Sequence, residues 1–297
     1  MNFPLTISSK SSFSAASYAT FRPSYPHSLY REVLQYHQGQ RQSCVDLGCG
    51  HGVVARALSK SFDSIVGTDP SSRMIKQAQS SASSAEYSNV EFREASAENL
   101  LFVADSSFDM VVAGQAAHWF DHTKVSNELA RTIKSGGSMA FWGYKDHVFV
   151  DSPEASPVLD KYAYDQQPDM LGSYWQQPGR SIVQNLLRDV KPPTEDWQDV
   201  RRIEYEPGMN GRHSGQRTMF MNKSLKVGEC KEYIRTWSSY HSWREAHSTS
   251  EGRSRGGSGD VVDKLFDEIA RIDTKFGSEE TMIDVEWGSI LLLARKR

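Results

Sequence analysis

Asp46, Gly48, Gly50 and Gly52 form the pattern D-x-G-x-G-x-G, the stretch of this chain best suited to holding a small ligand. Alternating glycines let a turn take positive φ and let a ligand approach the backbone closely. A carboxylate at the head of the turn attracts a cation, directly or through water. The alternative is a tight strand-to-helix turn with no ligand, which needs fewer of these features. The spacing differs from G-x-G-x-x-G, the pattern that seats a pyrophosphate at a helix N-terminus, so a nicotinamide cofactor is disfavoured. Asp69 lies 23 positions after Asp46. An acid there can accept hydrogen bonds from ribose hydroxyls, or it can cap the next helix. His118 can orient an acceptor or take its proton, or simply pack beside the ligand. Arg180 and Arg235 sit within aromatic-rich motifs and suit bidentate carboxylate binding; surface ion pairs are the plainer reading. Trp119, Trp142, Tyr174, Trp175, Trp237 and Tyr240 can wall a dry pocket around a cationic centre, or serve the core.

These side chains need a scaffold that gathers them at one edge. Residues 44–47 read as a strand, the glycines as its turn and residues 53–58 as a helix start. Further strands are expected at 64–69, 90–95, 108–114, 138–144, 201–205 and 283–294. The run 108–114 is apolar without alternation, as in a strand covered on both faces. Strand and helix alternation predicts an α/β, doubly wound, mostly parallel sheet. Ligands of such sheets bind outside the carboxyl ends of the strands, where Gln115 and His118 follow the fourth. Asp121 is expected to cap a helix running to about 134, and Gly136 and Gly137 to stop it. Residues 18–26 are a proline-punctuated lead-in to a helix at 27–38, with Tyr18 and Arg22 as candidates for a lid. Residues 218–221 read as a short strand and 227–247 as one helix. Residues 248–260 read as a mobile Gly/Ser/Arg linker, followed by an amphipathic helix over 261–276.

With 297 residues, the chain can hold one large domain, or a domain with a sizeable insertion. A net charge of -3 gives no global electrostatic case for nucleic acid. Cys44, Cys49 and Cys230 are sparse, which suits a reduced, cytoplasmic protein without disulfides. No Cys/His spacing suggests a metal, and no window approaches a membrane span of about 18 apolar residues. Residues 1–17 are Ser-rich and expected to be flexible.

The glycine pattern resembles motif I of class I S-adenosylmethionine-dependent methyltransferases. The resemblance implies S-adenosyl-L-methionine as cofactor. Asp46 would face the ammonium of its amino-acid end and Asp69 its ribose. The turn at Ala97 and Glu98 would meet the adenine, with Gln115 at the same edge. Further motifs are Arg22-Pro23-Ser24-Tyr25-Pro26, Ala117-His118-Trp119-Phe120, Trp142-Gly143-Tyr144, Tyr174-Trp175 with Pro178-Gly179-Arg180, and Arg235-Thr236-Trp237-Ser238-Ser239-Tyr240-His241. Together they resemble the fungal trans-aconitate 3-methyltransferase family, from about residue 14 to the C-terminus. The chain differs from that family at His51 and over 207–224.

This resemblance implies seven strands with an antiparallel last one. It implies a methyltransferase domain over 18–297, with a cofactor core at about 40–145 and a substrate cap from 145–200 and 207–282. The implied reaction is methyl transfer to an oxygen of a small carboxylic acid. Such an acid, with a pKa of about 4, is ionised at neutral pH and needs no general base. The rival readings are an O-methyltransferase of a specialised metabolite and a non-transferring cofactor-binding protein. Neither nucleic acid nor membrane is expected as a partner, and the chain is expected to be a monomer or homodimer.

Overall fold

The structure, a computed structural model, describes residues 20–208, 211–218 and 220–297. Its strands are β1 (Ser43–Leu47), β2 (Ser64–Asp69), β3 (Val90–Glu94), β4 (Phe108–Gly114), β5 (Ile133–Phe149), β6 (Trp197–Glu206), β7 (Gln216–Arg217), β8 (Asn222–Lys226) and β9 (Met282–Lys296). They form one sheet in the order 3-2-1-4-5-9-6-7, with β8 also paired to β9. β1 to β5 are parallel to their neighbours, and β9 runs antiparallel to β5. The other side of β9 is shared: β8 pairs along Met282–Glu286 and β6 along Ser289–Lys296.

Helices cover both faces, which explains the apolar strands. They are α1 (His27–Tyr36), α2 (Val53–Leu58), α3 (Ser72–Ser81), α4 (His122–Thr132), α5 (Ser156–Tyr164), α6 (Gly179–Gln184), α7 (Val227–Arg235), α8 (Ser238–Ala246) and α9 (Val261–Ile272). Successive strand residues point to opposite faces. Met110 and Val112 of β4 therefore join Leu29, Val33, Leu265 and Phe266 in one core, and Val111 and Ala113 join Val125, Leu129 and Leu187 in the other.

Several expectations need correction. The sheet has nine strands among the described residues rather than seven, because β7 and β8 extend the antiparallel half. Residues 218, 220 and 221 lie between these two strands and belong to neither; residue 219 is outside the described residues. The helix expected over 227–247 is two, α7 and α8, broken where Trp237 turns extended at φ -68 and ψ 147. At the break the Thr236 hydroxyl donates to the Tyr233 carbonyl at 2.6 Å. The segment 248–260 is a hydrogen-bonded loop instead of a free linker. Gly257 N–H donates to Gly252 O, Gly259 N–H to Glu251 O, and Arg253 pairs with Asp267 at 2.6 Å. Its low apolar content concealed these polar ties. Limited proteolysis of the ligand-free protein is expected to spare this loop at trypsin levels that cleave a comparably Arg-rich unstructured peptide; rapid cleavage at Arg253 or Arg255 would contradict it. The expected flexible segment 1–17 lies outside the described residues.

Candidate active site

The turn after β1 is shaped by its glycines. Gly48 has φ +64, and a Cβ there would come within 2.5 Å of the Ala116 Cβ. Gly52 has φ +82, opens α2, and lies over the Phe92 ring. Gly50 has φ +55 and faces open space, with nothing within 4 Å of where a Cβ would stand. The turn is thus tight below and bare above, which suits a ligand lying on the backbone. Gly48→Ala is expected to lower the melting midpoint and weaken cofactor binding by about 1–3 kcal/mol, through strain and overpacking. Calorimetry finding wild-type affinity would contradict that.

Two carboxylates flank the turn. Asp46 is 1% exposed; its Oδ2 accepts the Ala55 N–H at 3.1 Å, while Oδ1 is buried without a hydrogen-bond partner. Burial pushes its pKa up to about 8 against the pull of the Ala55 N–H, and the nearby Asp69 adds to the rise. An orphaned buried carboxylate oxygen is costly unless a donor arrives. The ammonium of S-adenosylmethionine is such a donor, so the residues present fit that cofactor. Asp69 Oδ2 accepts the Gly50 N–H at 3.0 Å, and Oδ1 accepts the Ser71 N–H at 2.9 Å. It therefore ties the turn to the start of α3, where the Ser71 side chain is the cap. A carboxylate oxygen has two acceptor sites, so this leaves capacity for ribose hydroxyls.

The other expected cofactor residues have visible structural work. Glu98 Oε1 accepts the Asp121 N–H at 2.9 Å, just before α4. Ala97 is buried in the core on the α4 face. Gln115 has φ +54 and extends the β4–β5 pairing through its side chain: Nε2 donates to Tyr144 O at 2.9 Å, and Oε1 accepts the Tyr144 N–H at 2.7 Å.

Beyond the end of β4, beside residues 144–146 of β5, a cavity opens. Arg22, Gln115, His118, Trp119, Trp175, Arg180 and Trp237, seven residues singled out from sequence, line it together. His118 packs on Trp119 with ring centroids 4.6 Å apart. Burial first, then the charges of Arg180 and Arg22, hold its pKa down to about 3, so it is neutral near pH 7. Arg22 Nη2 donates to the Thr236 carbonyl at 3.0 Å, and its guanidinium lies over the Tyr233 ring. The Arg180 guanidinium stands 3.7 Å from the Trp175 ring centroid and pairs with Asp146 and the Tyr164 hydroxyl. Tyr144 and Ser238, from the motifs quoted above, also line the cavity, as do Lys145, Asp146, Val183 and Tyr233, which were not named as site residues. One signal was available for Lys145 and Asp146: Gly288, isolated in the apolar run of β9, marks a bulge opposite them.

Other expected residues are placed elsewhere. Arg235 is bound by Asp260, Asp263 and Glu232, and Tyr240 donates to Asp260 at 2.7 Å. An arginine so fully paired and buried is structural. Trp142 packs edge-on against Tyr25 and Tyr30 in the core. Tyr174 points away, donating to the Pro168 carbonyl at 3.0 Å. Tyr18 lies outside the described residues. Among the described residues no group of His, Cys, Asp and Glu is arranged to hold a metal. No helix among them is long and apolar enough to cross a membrane.

Residues 45–141 match the family described as methyltransferase domain. The chain is 29% identical to the probable S-adenosylmethionine-dependent methyltransferase CRG1 of Saccharomyces cerevisiae, across 99% of both chains. It is 22% identical to the methyltransferase pgmE of Aspergillus terreus, over 94% of this chain and 92% of that one. A solved structure assigned as a type II methyltransferase of Anaeromyxobacter dehalogenans covers 93% of this chain and 98% of its own, with a TM-score of 0.67 at 22% identity. That likeness shows a shared fold.

Proposed function

We propose that this chain, an S-adenosylmethionine-dependent methyltransferase of the class I fold, forms a methyl ester on a small, trans-aconitate-like carboxylic acid. When bound, S-adenosylmethionine supplies a methyl group on a sulfonium for in-line displacement. The turn at Gly48, Gly50 and Gly52, with Asp46 and Asp69, would hold it, within a core of about 40–145. The second half of the chain, about 145–200 and 207–282, would present the acceptor.

The observation that carries this reading is the cavity itself. Arg22, Lys145 and Arg180 line it, with Asp146 on Arg180 and Glu206 on Lys145, and His118 there is neutral. Cations attract and align an acid, and alignment is most of what a methyl acceptor requires. Trp119, Trp175 and Trp237 keep water from the sulfonium. A hydroxyl acceptor of a specialised metabolite would instead need a base, and a histidine held near pKa 3 is a weak one.

The pH–rate profile tests this. With a carboxylic acid and saturating cofactor, kcat is expected to be flat from about pH 6 to 8, because the acceptor is ionised and His118 stays neutral throughout. A limb near pH 6.5 that disappears in His118→Gln would contradict it and favour a hydroxyl acceptor.

A further inference from the structure

A strand irregularity puts a carboxylate where an acid is to bind. Tyr144 pairs with Ser289 and His147 with Trp287, so Lys145 and Asp146 together face Gly288. Such a bulge re-aims the side chains of the longer strand. A Cβ at position 288 would come within 2.5 Å of the Lys145 Cε, so the glycine makes room for the bulge. Lys145 is drawn to Glu206 at 2.6 Å. Asp146 meets Arg180 and Tyr164 instead. The guanidinium reaches both through Nη2, and its Nε is buried without a partner. Asp146, Tyr164 and the Trp175 face thus fix Arg180 while leaving it N–H groups to offer.

We propose that Asp146 is a charge-balancing positioning residue: it holds Arg180 and offsets its charge, so that the site does not favour the charged acceptor over the transition state. This rests on the acid-acceptor reading. In that reaction a carboxylate oxygen lone pair forms the O–CH3 bond, and the S–CH3 bond breaks with its electron pair staying on sulfur. Carboxylate and sulfonium become neutral ester and neutral thioether, and no proton moves. The acceptor loses negative charge on the way to the transition state. An unbalanced arginine stabilises the starting carboxylate more than the transition state, which tightens binding and slows turnover. A carboxylate on that arginine cancels the preference, and its own repulsion of the acceptor fades as the charge is lost.

The test compares wild type with Asp146→Asn and Asp146→Glu. It uses steady-state kinetics at saturating cofactor, on whichever di- or tricarboxylic acid the wild type esterifies fastest. Calorimetry then gives the Kd of that acid for the S-adenosylhomocysteine complex. In Asp146→Asn, KM and Kd are expected to fall together by about five- to tenfold, and kcat by at least as much. Asp146→Glu keeps the charge, and both parameters are expected to stay within about threefold of wild type. A residue that only props up the fold would raise KM and Kd in Asp146→Asn, and that result overturns the proposal. An unchanged kcat, or Asp146→Glu behaving like Asp146→Asn, overturns it too. If wild type makes ester and the variant's KM rises, Asp146 alone loses its role. If wild type makes no ester from any acid, the acid-acceptor reading falls and takes this one with it.

Discussion

Asp46→Asn is expected to make the ligand-free protein more stable and its hold on the cofactor much weaker. The Asp46 carboxyl has a folded-state pKa of about 8, raised chiefly by burial. In an unfolded chain an aspartate titrates at about 3.9. Between these values the unfolded chain gives up a proton that the folded protein retains, so Asp46 costs stability progressively as pH rises from about 4 to 8. Asparagine cannot ionise and avoids that cost. The gain at neutral pH should be on the order of 2–4 kcal/mol, or several degrees in melting midpoint. The loss should appear as about 10- to 100-fold weaker S-adenosylhomocysteine binding, as for losing a charge-assisted hydrogen bond. Wild-type binding near pH 7 should also release protons, making the calorimetric enthalpy depend on the buffer. A lowered melting midpoint with unchanged affinity would show that Asp46 serves the fold and not the ligand.

Arg235→Leu is expected to cost about 3–5 kcal/mol of stability, because it leaves buried carboxylates without their cation. The Arg235 Nε donates to Asp260 at 2.8 Å, Nη2 pairs with Asp263 at 3.0 Å, and Nη1 with Glu232 at 2.8 Å. Asp260 is fully buried and caps α9, accepting the Val262 and Asp263 N–H groups. Burial and hydrogen bonds work in opposite directions on Asp263, and the N–H of Arg253 and the charge of Arg235 prevail, holding its pKa down to about 2. This stabilisation is present above the unfolded pKa and is lost as pH falls through the folded one, so the difference between wild type and variant should shrink below about pH 4. Thermal or urea unfolding checks the cost. The acceptor KM, measured on the folded fraction, should stay near wild type. A KM raised more than tenfold with an unchanged midpoint would return Arg235 to the site.

The parallel half of the sheet was legible because its signals are local. Asp46 and the three glycines, the 108–114 run and the cap at Asp121 each act within a few residues. The antiparallel half was harder. β8 is a strand because its backbone pairs with β9 some sixty residues on, which residues 222–226 do not announce. At the site, Arg180 and Arg235 looked alike in sequence, each beside aromatics. What separates them is the partner that the fold delivers. Arg180 receives one carboxylate and a cavity, whereas Arg235 receives three carboxylates and no space. Asp146 was missed because its orientation depends on a bulge registered against a strand at the other end of the chain. The loop 248–260 has the composition of a linker, yet Asp260 and Asp263 anchor it through polar contacts that composition does not reveal.

Methyl transfer to an acid is tested most directly by incubating the protein with methyl-labelled S-adenosylmethionine and a panel of di- and tricarboxylic acids, trans-aconitate among them. The expected result is label in a small product that is released as methanol by mild base, as a methyl ester is. Label that survives base, or that appears only with hydroxyl acceptors, would contradict the acid-acceptor account.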